Sequence, residues 1–461
     1  MVTDIPLSVC YIVKNEQENI EYSIQSIIGA ADEVVVVDTG SEDKTPEIAE
    51  RAGAKVVRSS WCDDFSYSRN ISIDNASGRW ILWLDGDDYV PSASADKMQE
   101  LKKEKPECVF GMVVKNERPN GTGTEFIQAR MFPNRPDIRF QRRIHEQVLP
   151  SAVRAGLKMV ETDVVIEHHG YIDPETMKRK AERNSGLIEV EYSDSGPDPF
   201  LAVEAGDAFW ITQDYERAFK WYREALDAGS KTKGAAEPES QALYGMGRIE
   251  IKQGNPEEAL KYYSASLDRI SQRPDVMYMS ALAYEDTGRR DEAVKILREI
   301  IELPVKVCKV GVDFRSVKIK SYLKLFELLR EESLTEEMNS LCDKALKRFP
   351  GRVEIFNMCG LCKLHTDKLI DALHMFERSI NTDSAHNINA FIGLCIIYSR
   401  AGKMDAVKAS MKTMERLFSN TPRYRAFKTL MLGLESEGDD EVEREVSYLH
   451  RVFGESSFPV N

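Results

Sequence analysis

No apolar run in this 461-residue chain approaches the ~18 residues that a membrane-spanning helix needs, so no membrane span is expected. The opening residues MVTDIPLSVC lack a basic stretch followed by an apolar core and a cleavage site, so no signal peptide is read there. An excess of basic charge is missing too. The formal net charge is -14, which argues against nucleic acid as a general partner and leaves only a local basic cleft for a polyanion. Cysteine is sparse and scattered, from Cys10 to Cys395, with eight in all. That suits reduced thiols and a cytoplasmic location, not a disulfide frame. Cys359 and Cys362 lie one helical turn apart with no second pair at metal-site spacing, so they read as core residues.

What is present is organised around Trp80–Asp88, WILWLDGDD. Its continuous apolar run reads as a strand buried on both faces, the kind found in a parallel sheet. Asp85, Asp87 and Asp88 cannot continue into that core, because burying unpaired charge is costly. They should emerge outside the carboxyl end of the strand, where open α/β sheets bind ligands. Clustered hard oxygens suit Mg²⁺ or Mn²⁺ shared with substrate phosphates. The bland reading of DGDD is an acidic turn.

Around that strand the order is strand, helix, strand, helix. Leu7–Val13, Glu33–Val37 and Ala54–Arg58 read as strands, and Glu18–Ile28 and Ser66–Asn75 as helices. A further helix starts at Thr45-Pro46, with Thr45 the expected N-cap. Short buried strands in this order imply a mostly parallel, Rossmann-like sheet with right-handed crossovers. Cys108–Lys115, Phe126–Phe132, Arg139–His145 and Val164–His168 are also expected as strands.

From Glu175 onward the sequence is helical and repetitive. Gly206/Ala218, Gly247/Ala259, Ala281/Ala293 and Gly360/Ala372 are each 12 apart, and Tyr222, Tyr263, Leu297 and Phe376 follow each alanine by 4. Gly247 to Ala281 and Phe326 to Gly360 both span 34, the tetratricopeptide period, whose small residues let paired helices approach closely. The expected division is an α/β domain over residues 1–172, a linker helix over 173–198, repeats over 199–420 and capping helices over 421–461. Repeats are placed at Pro199–Gly229, Ser240–Ser271, Pro274–Leu303, Ile319–Pro350, Val353–Ser384 and Asn387–Phe418, with an insertion at Val305–Val317. A stacked helical solenoid offers a concave surface to an extended partner. The alternative is a structural array, or one that forms a homodimer. Trp210, Trp221, Tyr222, Tyr262 and Tyr263 read as helix-packing residues.

VVVVDTGSEDKT (Val34–Thr45) and WLDGDD resemble the strand-plus-acidic-turn and DxD signatures of family 2 glycosyltransferases of the GT-A fold. WCDDFSYSRN (Trp61–Asn70), ARMFPNRPDIRFQRRIHE (Ala129–Glu146) and IEHHGY (Ile166–Tyr171) narrow the resemblance. They are similar to a subgroup with C-terminal tetratricopeptide repeats, which includes the sublancin S-glycosyltransferase and flagellin glycosyltransferases. The resemblance implies metal-dependent, inverting transfer from a nucleotide sugar, usually UDP-linked, to a peptide or protein acceptor on Ser, Thr or Cys, possibilities that include a flagellin-like protein held by the repeats.

By the same resemblance Asp87 and His168 are metal ligands, and Asp85 faces the ribose or the metal shell. Glu16 and Asp38 face ribose and uracil, and Asp64, Arg69 and Arg143 belong to donor binding. Alternatively Arg69 pairs with Asp64 to hold the loop, and Arg139, Arg142 and Arg143 form a solvated edge. The acidic base of common family 2 enzymes, followed by an Arg/Trp-rich helix, has no counterpart here. Glu146, the acidic residue inside a matching block, is the base candidate, with a structural tie as its alternative. Two other readings are an envelope glycan or lipid-linked saccharide as acceptor, and a non-catalytic repeat scaffold. A sugar-1-phosphate nucleotidyltransferase would need a Gly-rich phosphate loop where KNEQEN (Lys14–Asn19) stands.

Overall fold

In the computed structural model, which describes residues 6–117, 123–170, 174–304, 312–383, 387–425 and 427–428, strands and helices alternate from the start. β1 (Leu7–Val13), α1 (Ile20–Ile27), β2 (Glu33–Asp38), α2 (Thr45–Arg51), β3 (Lys55–Arg58), α3 (Phe65–Asp74) and β4 (Trp80–Asp85) come first. Then follow β5 (Asp88–Tyr89), α4 (Ser92–Leu101), β6 (Val109–Glu117), β7 (Gly123–Pro133), α5 (Leu149–Arg154) and β8 (Met159–His168). The sheet order is β3-β2-β1-β4-β7-β6-β8-β5. β1 to β4 run parallel, β7 is antiparallel to both β4 and β6, and β8 is parallel to β6. The sheet is therefore mostly parallel but mixed.

β4 shows why the apolar run is continuous. Trp80, Leu82 and Leu84 enter the core under α1 and α4, while Ile81 and Trp83 enter a second core with Ile73 and Phe140. All five are buried, so neither face tolerates a polar residue before Asp85.

Two local expectations fail. Thr45 is the first helical residue, not the N-cap. Lys44 occupies the cap position, because the Thr45 hydroxyl is drawn to Asp43 and to the backbone N–H of Glu16. Arg139–His145 is not a strand; only a Gln141–Gln147 bridge forms. Alternation would put Arg142 on the same face as buried Phe140 and Ile144. Instead the chain turns through left-handed backbone at Arg142 and His145 (φ 79° and 50°), and Arg142 reaches Asp198.

Helices fill the rest: α6 (Pro174–Ser195), α7 (Pro199–Ile211), α8 (Tyr215–Gly229), α9 (Ala236–Gln253), α10 (Pro256–Arg269), α11 (Pro274–Asp286) and α12 (Arg290–Glu302). α13 (Phe314–Glu331), α14 (Thr335–Arg348), α15 (Val353–His365), α16 (Leu369–Thr382), α17 (Ile388–Arg400) and α18 (Met404–Phe418) complete the pairs. One compact unit spans residues 1–296 and 303–317 and holds the sheet with the first repeats; a second spans 297–302 and 318–461. Residues 305–311 of the expected insertion, most of the expected cap from 429 on, and Tyr171 lie outside the described residues. Cys359 and Cys362 are buried, as their spacing suggested. Among the described residues no helix is long and apolar enough to cross a membrane.

The repeat signature has a steric cause. The ring of Tyr263, on α10, lies over Gly247 on α9, where an added Cβ would sit 2.4 Å from the ring. Phe376 is held in the same way against Gly360 and Gly393. Helix propensity alone would make Gly247→Ala favourable by ~1 kcal/mol. Because Tyr263 is fully buried, the ring cannot yield cheaply, and overpacking of ~1–3 kcal/mol should dominate. Gly247→Ala is expected to lower the urea midpoint; a raised midpoint would mean that the helix pair opens freely around Tyr263.

Candidate active site

The register aligns the strand ends. Ile12 of β1 pairs with Asp85 of β4, and Val13 with Asp38 of β2. β2 and β4 flank β1 on opposite sides, so their carboxyl ends meet at a topological switch point. Glu16 follows directly, its side chain against Gly86, where an added Cβ would meet its Cγ at 2.9 Å. Burial raises the Glu16 pKa, and the nearby Asp87 and Asp85 charges add to the rise, while the Asn19 hydrogen bond and Lys180 oppose it.

The acidic turn divides its carboxylates by role. Asp88 is buried and accepts from the Asp85 backbone N–H at 2.8 Å, from Arg130 Nη1 at 2.9 Å and from His168 Nδ1 at 2.9 Å. Its pairing with His168 is also the β5–β8 register. Asp85, Asp88 and His168 each offer a ligand atom within 4.8 Å of the others. Asp88, however, is fully engaged by the imidazole, the guanidinium and the backbone, so its role is to orient His168. With Nδ1 as donor, Nε2 of a neutral His168 is free to bind a cation. A Cβ on Gly170 would lie 2.8 Å from that Nε2 and 2.9 Å from Asp87 Oδ2. The two atoms thus converge on one small space, kept open by the missing side chain. A carboxylate oxygen and an imidazole nitrogen facing one space fit a divalent metal. Burial raises the Asp87 pKa; His168 opposes this, and Asp85 and Asp88 reinforce it.

A second network lies beside the first. Arg69 Nη2 binds Asp85 Oδ1 at 2.8 Å, and its Nε binds Glu146 Oε1 at 2.5 Å. Burial pushes the Asp85 carboxyl up, but Arg69 and Arg130 outweigh it and hold the pKa below the usual range. Both guanidinium groups lie over the Trp83 indole, at 4.1 and 3.8 Å from the ring centroid. Glu146 also lines a cavity of about 310 Å³ with Trp83, Phe140, Met159 and Phe200.

The predicted residues therefore separate. Asp85, Asp87, His168, Arg69, Glu146 and Glu16 come together. Arg69 pairs with Asp85 and Glu146 rather than with Asp64. Asp64 caps α3, accepting from the Tyr67 N–H. Asp38 sits at the same strand edge, where its carboxylate accepts from the Ser41 N–H. The Arg143 guanidinium is directed to Asp194 on α6, not to the cluster. Arg130 was missed as a site residue, and Asp88, expected to emerge with Asp85 and Asp87, is buried instead, because Arg130, His168 and the Asp85 N–H satisfy its carboxylate. The signal for Arg130 was an arginine inside the otherwise apolar run ARMF of β7, which needs a buried anion.

Comparison with known proteins agrees with this geometry. Residues 8–150 match the family described as Glycosyl transferase family 2, and residues 201–272 and 250–304 match tetratricopeptide repeat families. A TPR repeat-containing protein of Synechococcus elongatus is 32% identical over 309 residues, 64% of this chain and 75% of that one. The SPbeta prophage-derived glycosyltransferase SunS of Bacillus subtilis is 26% identical over 192 residues, 41% of this chain and 45% of that one. An uncharacterized glycosyltransferase of Rickettsia bellii is 38% identical over 95 residues, 21% of this chain and 32% of that one. The chain thus spans less than half the length of either glycosyltransferase.

Burial lowers the His168 pKa, but the Asp88 hydrogen bond and the Asp87, Asp88 and Asp85 charges raise it to about 8 from 6.5. The protonated ring therefore stabilises the metal-free fold fully below pH ~6.5, and the contribution is lost as pH rises through ~8. The shift corresponds to about 2 kcal/mol. In EDTA, the stability gap between wild type and His168→Gln should shrink by about that much between pH 6 and pH 9. A gap that is flat across this range would exclude His168 as the titrating group.

Proposed function

The chain belongs to the family 2 glycosyltransferases that carry C-terminal tetratricopeptide repeats, and from that premise we propose that it is an inverting transferase moving a sugar from a UDP-sugar to a Ser, Thr or Cys side chain of a peptide or protein. The observation that carries the reading is the convergence of Asp87 Oδ2 and His168 Nε2 at the switch point of the sheet. In this reading Asp87 and His168 hold Mn²⁺ or Mg²⁺, and a bound divalent ion neutralises charge on the donor diphosphate as a Lewis acid. Asp88 keeps the imidazole oriented, and Glu16 and Asp38 line the nucleoside end of the same edge.

The transfer balances as a single displacement. The acceptor oxygen or sulfur bonds to the anomeric carbon. The bond from that carbon to the diphosphate oxygen breaks, and its electron pair stays on the phosphate. Attack opposite the leaving group inverts the centre, and the acceptor proton passes to a base. Glu146 is the proposed base: one guanidinium separates it from Asp85, and it borders the cavity on the other side. The cavity is offered as the acceptor entrance. α6 and α7 hold the Glu146 loop, through Arg143 to Asp194, His145 to Glu204 and buried Ile144 among Leu187 and Leu201. The repeats are proposed to present the acceptor polypeptide to that loop.

Asp87→Ala should reduce turnover by orders of magnitude with the fold intact, and Gly170→Ala should weaken Mn²⁺ binding by filling the shared space. Mn²⁺ affinity should rise from pH 6.5 to 8.5 as His168 loses its proton. Full activity of Asp87→Ala in excess EDTA, read by sugar-nucleotide turnover, would remove the metal from the mechanism.

Glu146→Gln should cut kcat for a Ser or Thr acceptor by ~10²–10⁴ with little change in donor affinity. A Cys acceptor, already partly thiolate, should suffer less. If donor affinity or stability falls as much as turnover, Glu146 is a tie for Arg69 and the base lies elsewhere.

A further inference from the structure

The site uses up its own arginines. Arg69 is shared by Asp85 and Glu146, and Arg130 is held by Asp88. Arg142 and Arg143 are taken by Asp198 and Asp194. A diphosphate arriving here would meet the carboxylates of Glu16, Asp85 and Asp87, and one divalent ion neutralises only part of its charge. Further cations are needed.

α6 brings two. Residues 180, 183, 187, 191 and 194 recur at spacings of three and four, so they form one stripe on the helix. The stripe is anchored at one end. Asp194 binds Arg143 Nη2 at 3.0 Å, and Glu191 accepts from the Arg143 backbone N–H at 3.0 Å. In its middle, Leu187 and Ile188 are buried with Ile144, against Trp61 and Phe65. One turn back, ~6 Å along the axis, Arg183 lies over the Phe65 ring with Cζ 5.4 Å from the centroid. About one further turn back on the same stripe stands Lys180, whose charge works to lower the Glu16 pKa. Glu16 in turn lies against Gly86, inside the acidic turn. α6 therefore runs from the Glu146 loop past Phe65 at the start of α3, and Lys180 continues the stripe one turn beyond Arg183. Among the described residues neither cation has a carboxylate at ion-pair distance; the Arg183 guanidinium donates only to its neighbour Asn184. Both side chains are exposed, as cations awaiting a soluble ligand must be.

We propose that Lys180 and Arg183 bind the diphosphate of the nucleotide-sugar donor, and that they hold the electron pair left on its terminal phosphate oxygen when the bond to the sugar breaks. This rests on the donor reading above and adds residues to it. α6 is then part of the donor site rather than a linker. Arginine supplies a two-pronged contact to phosphate, and lysine a point charge.

The test uses the full-length protein with Mg²⁺ and calorimetric affinities for UDP, GDP, CDP and dTDP, each beside its nucleoside. Lys180→Gln and Arg183→Gln should each weaken the preferred diphosphate about 10-fold or more, and the double variant by about 100-fold. The nucleoside itself and the melting temperature should be unaffected. Lys178→Gln, on the opposite face of α6, should bind as wild type does, and Arg183→Lys should recover part of the loss. If the wild type prefers a diphosphate and the double variant keeps the same diphosphate-to-nucleoside ratio, this inference alone is overturned. A wild type that binds none of the four diphosphates overturns the donor reading, and this inference falls with it.

Discussion

Asp88 is the constraint on which the site depends. A carboxylate removed from water costs several kcal/mol unless it is paired with a cation and hydrogen-bonded. Here three donors meet it, from three different elements: the Asp85 backbone at the end of β4, Arg130 on β7 and His168 on β8. Satisfying one buried charge therefore fixes the turn, a neighbouring strand and the imidazole together. Losing any one partner would leave charge uncompensated, so the arrangement is cooperative rather than a sum of pairs. The half-buried Asp87 of the same turn inherits its position from Asp88.

Trp83 extends that order to the second network. Its indole receives two guanidinium groups and donates its own N–H to Ala129 O at 2.8 Å. Arg69 and Arg130 are thereby held as flat plates, each with its remaining N–H groups aimed at carboxylates. Arg69 joins Asp85 to Glu146, and the Glu146 loop is pinned from outside by α6 and α7. Because the loop adopts left-handed backbone at Arg142 and His145, its conformation is not self-sustaining. Contacts from the first helices of the array supply what local propensity lacks. The repeats and the sheet are thus coupled through packing, whatever else the repeats bind.

Much of this was legible in the residues, and the reason is periodicity. WILWL could only be a strand covered on both faces, and the 12-residue Gly/Ala spacing could only bring small residues under large ones in a helix pair. Helix ends and side-chain direction were less legible. Thr45 looks like an N-cap because its competing partners, Asp43 and the Glu16 backbone, are visible only in three dimensions. RFQRRIH looks like a strand because nothing local shows that Asp198 will claim Arg142. DGDD announces acidity without saying which carboxylate turns inward; that depends on Arg130, forty-two residues away along the chain. Residues 173–198 read only as a linker helix, since a basic stripe acquires meaning only from what lies beneath it.

The distribution of charge completes the picture. Within the site every buried cation already has its anion, which preorganises the carboxylates and leaves little to rearrange when a ligand enters. The same completeness means that the buried network cannot also neutralise an anionic ligand without breaking a pair it needs. On the donor reading proposed above, ligand charge would be met by groups held nearby but not consumed: a cation in the space between Asp87 and His168, and exposed side chains on an element anchored elsewhere. On the proposal above α6 meets that description: Asp194 ties it to Arg143, and among the described residues Lys180 and Arg183 have no carboxylate at ion-pair distance. A helix tied to the loop bearing Glu146 and carrying Arg183 and Lys180 along the same stripe would, on that proposal, link the base candidate to the donor through one element.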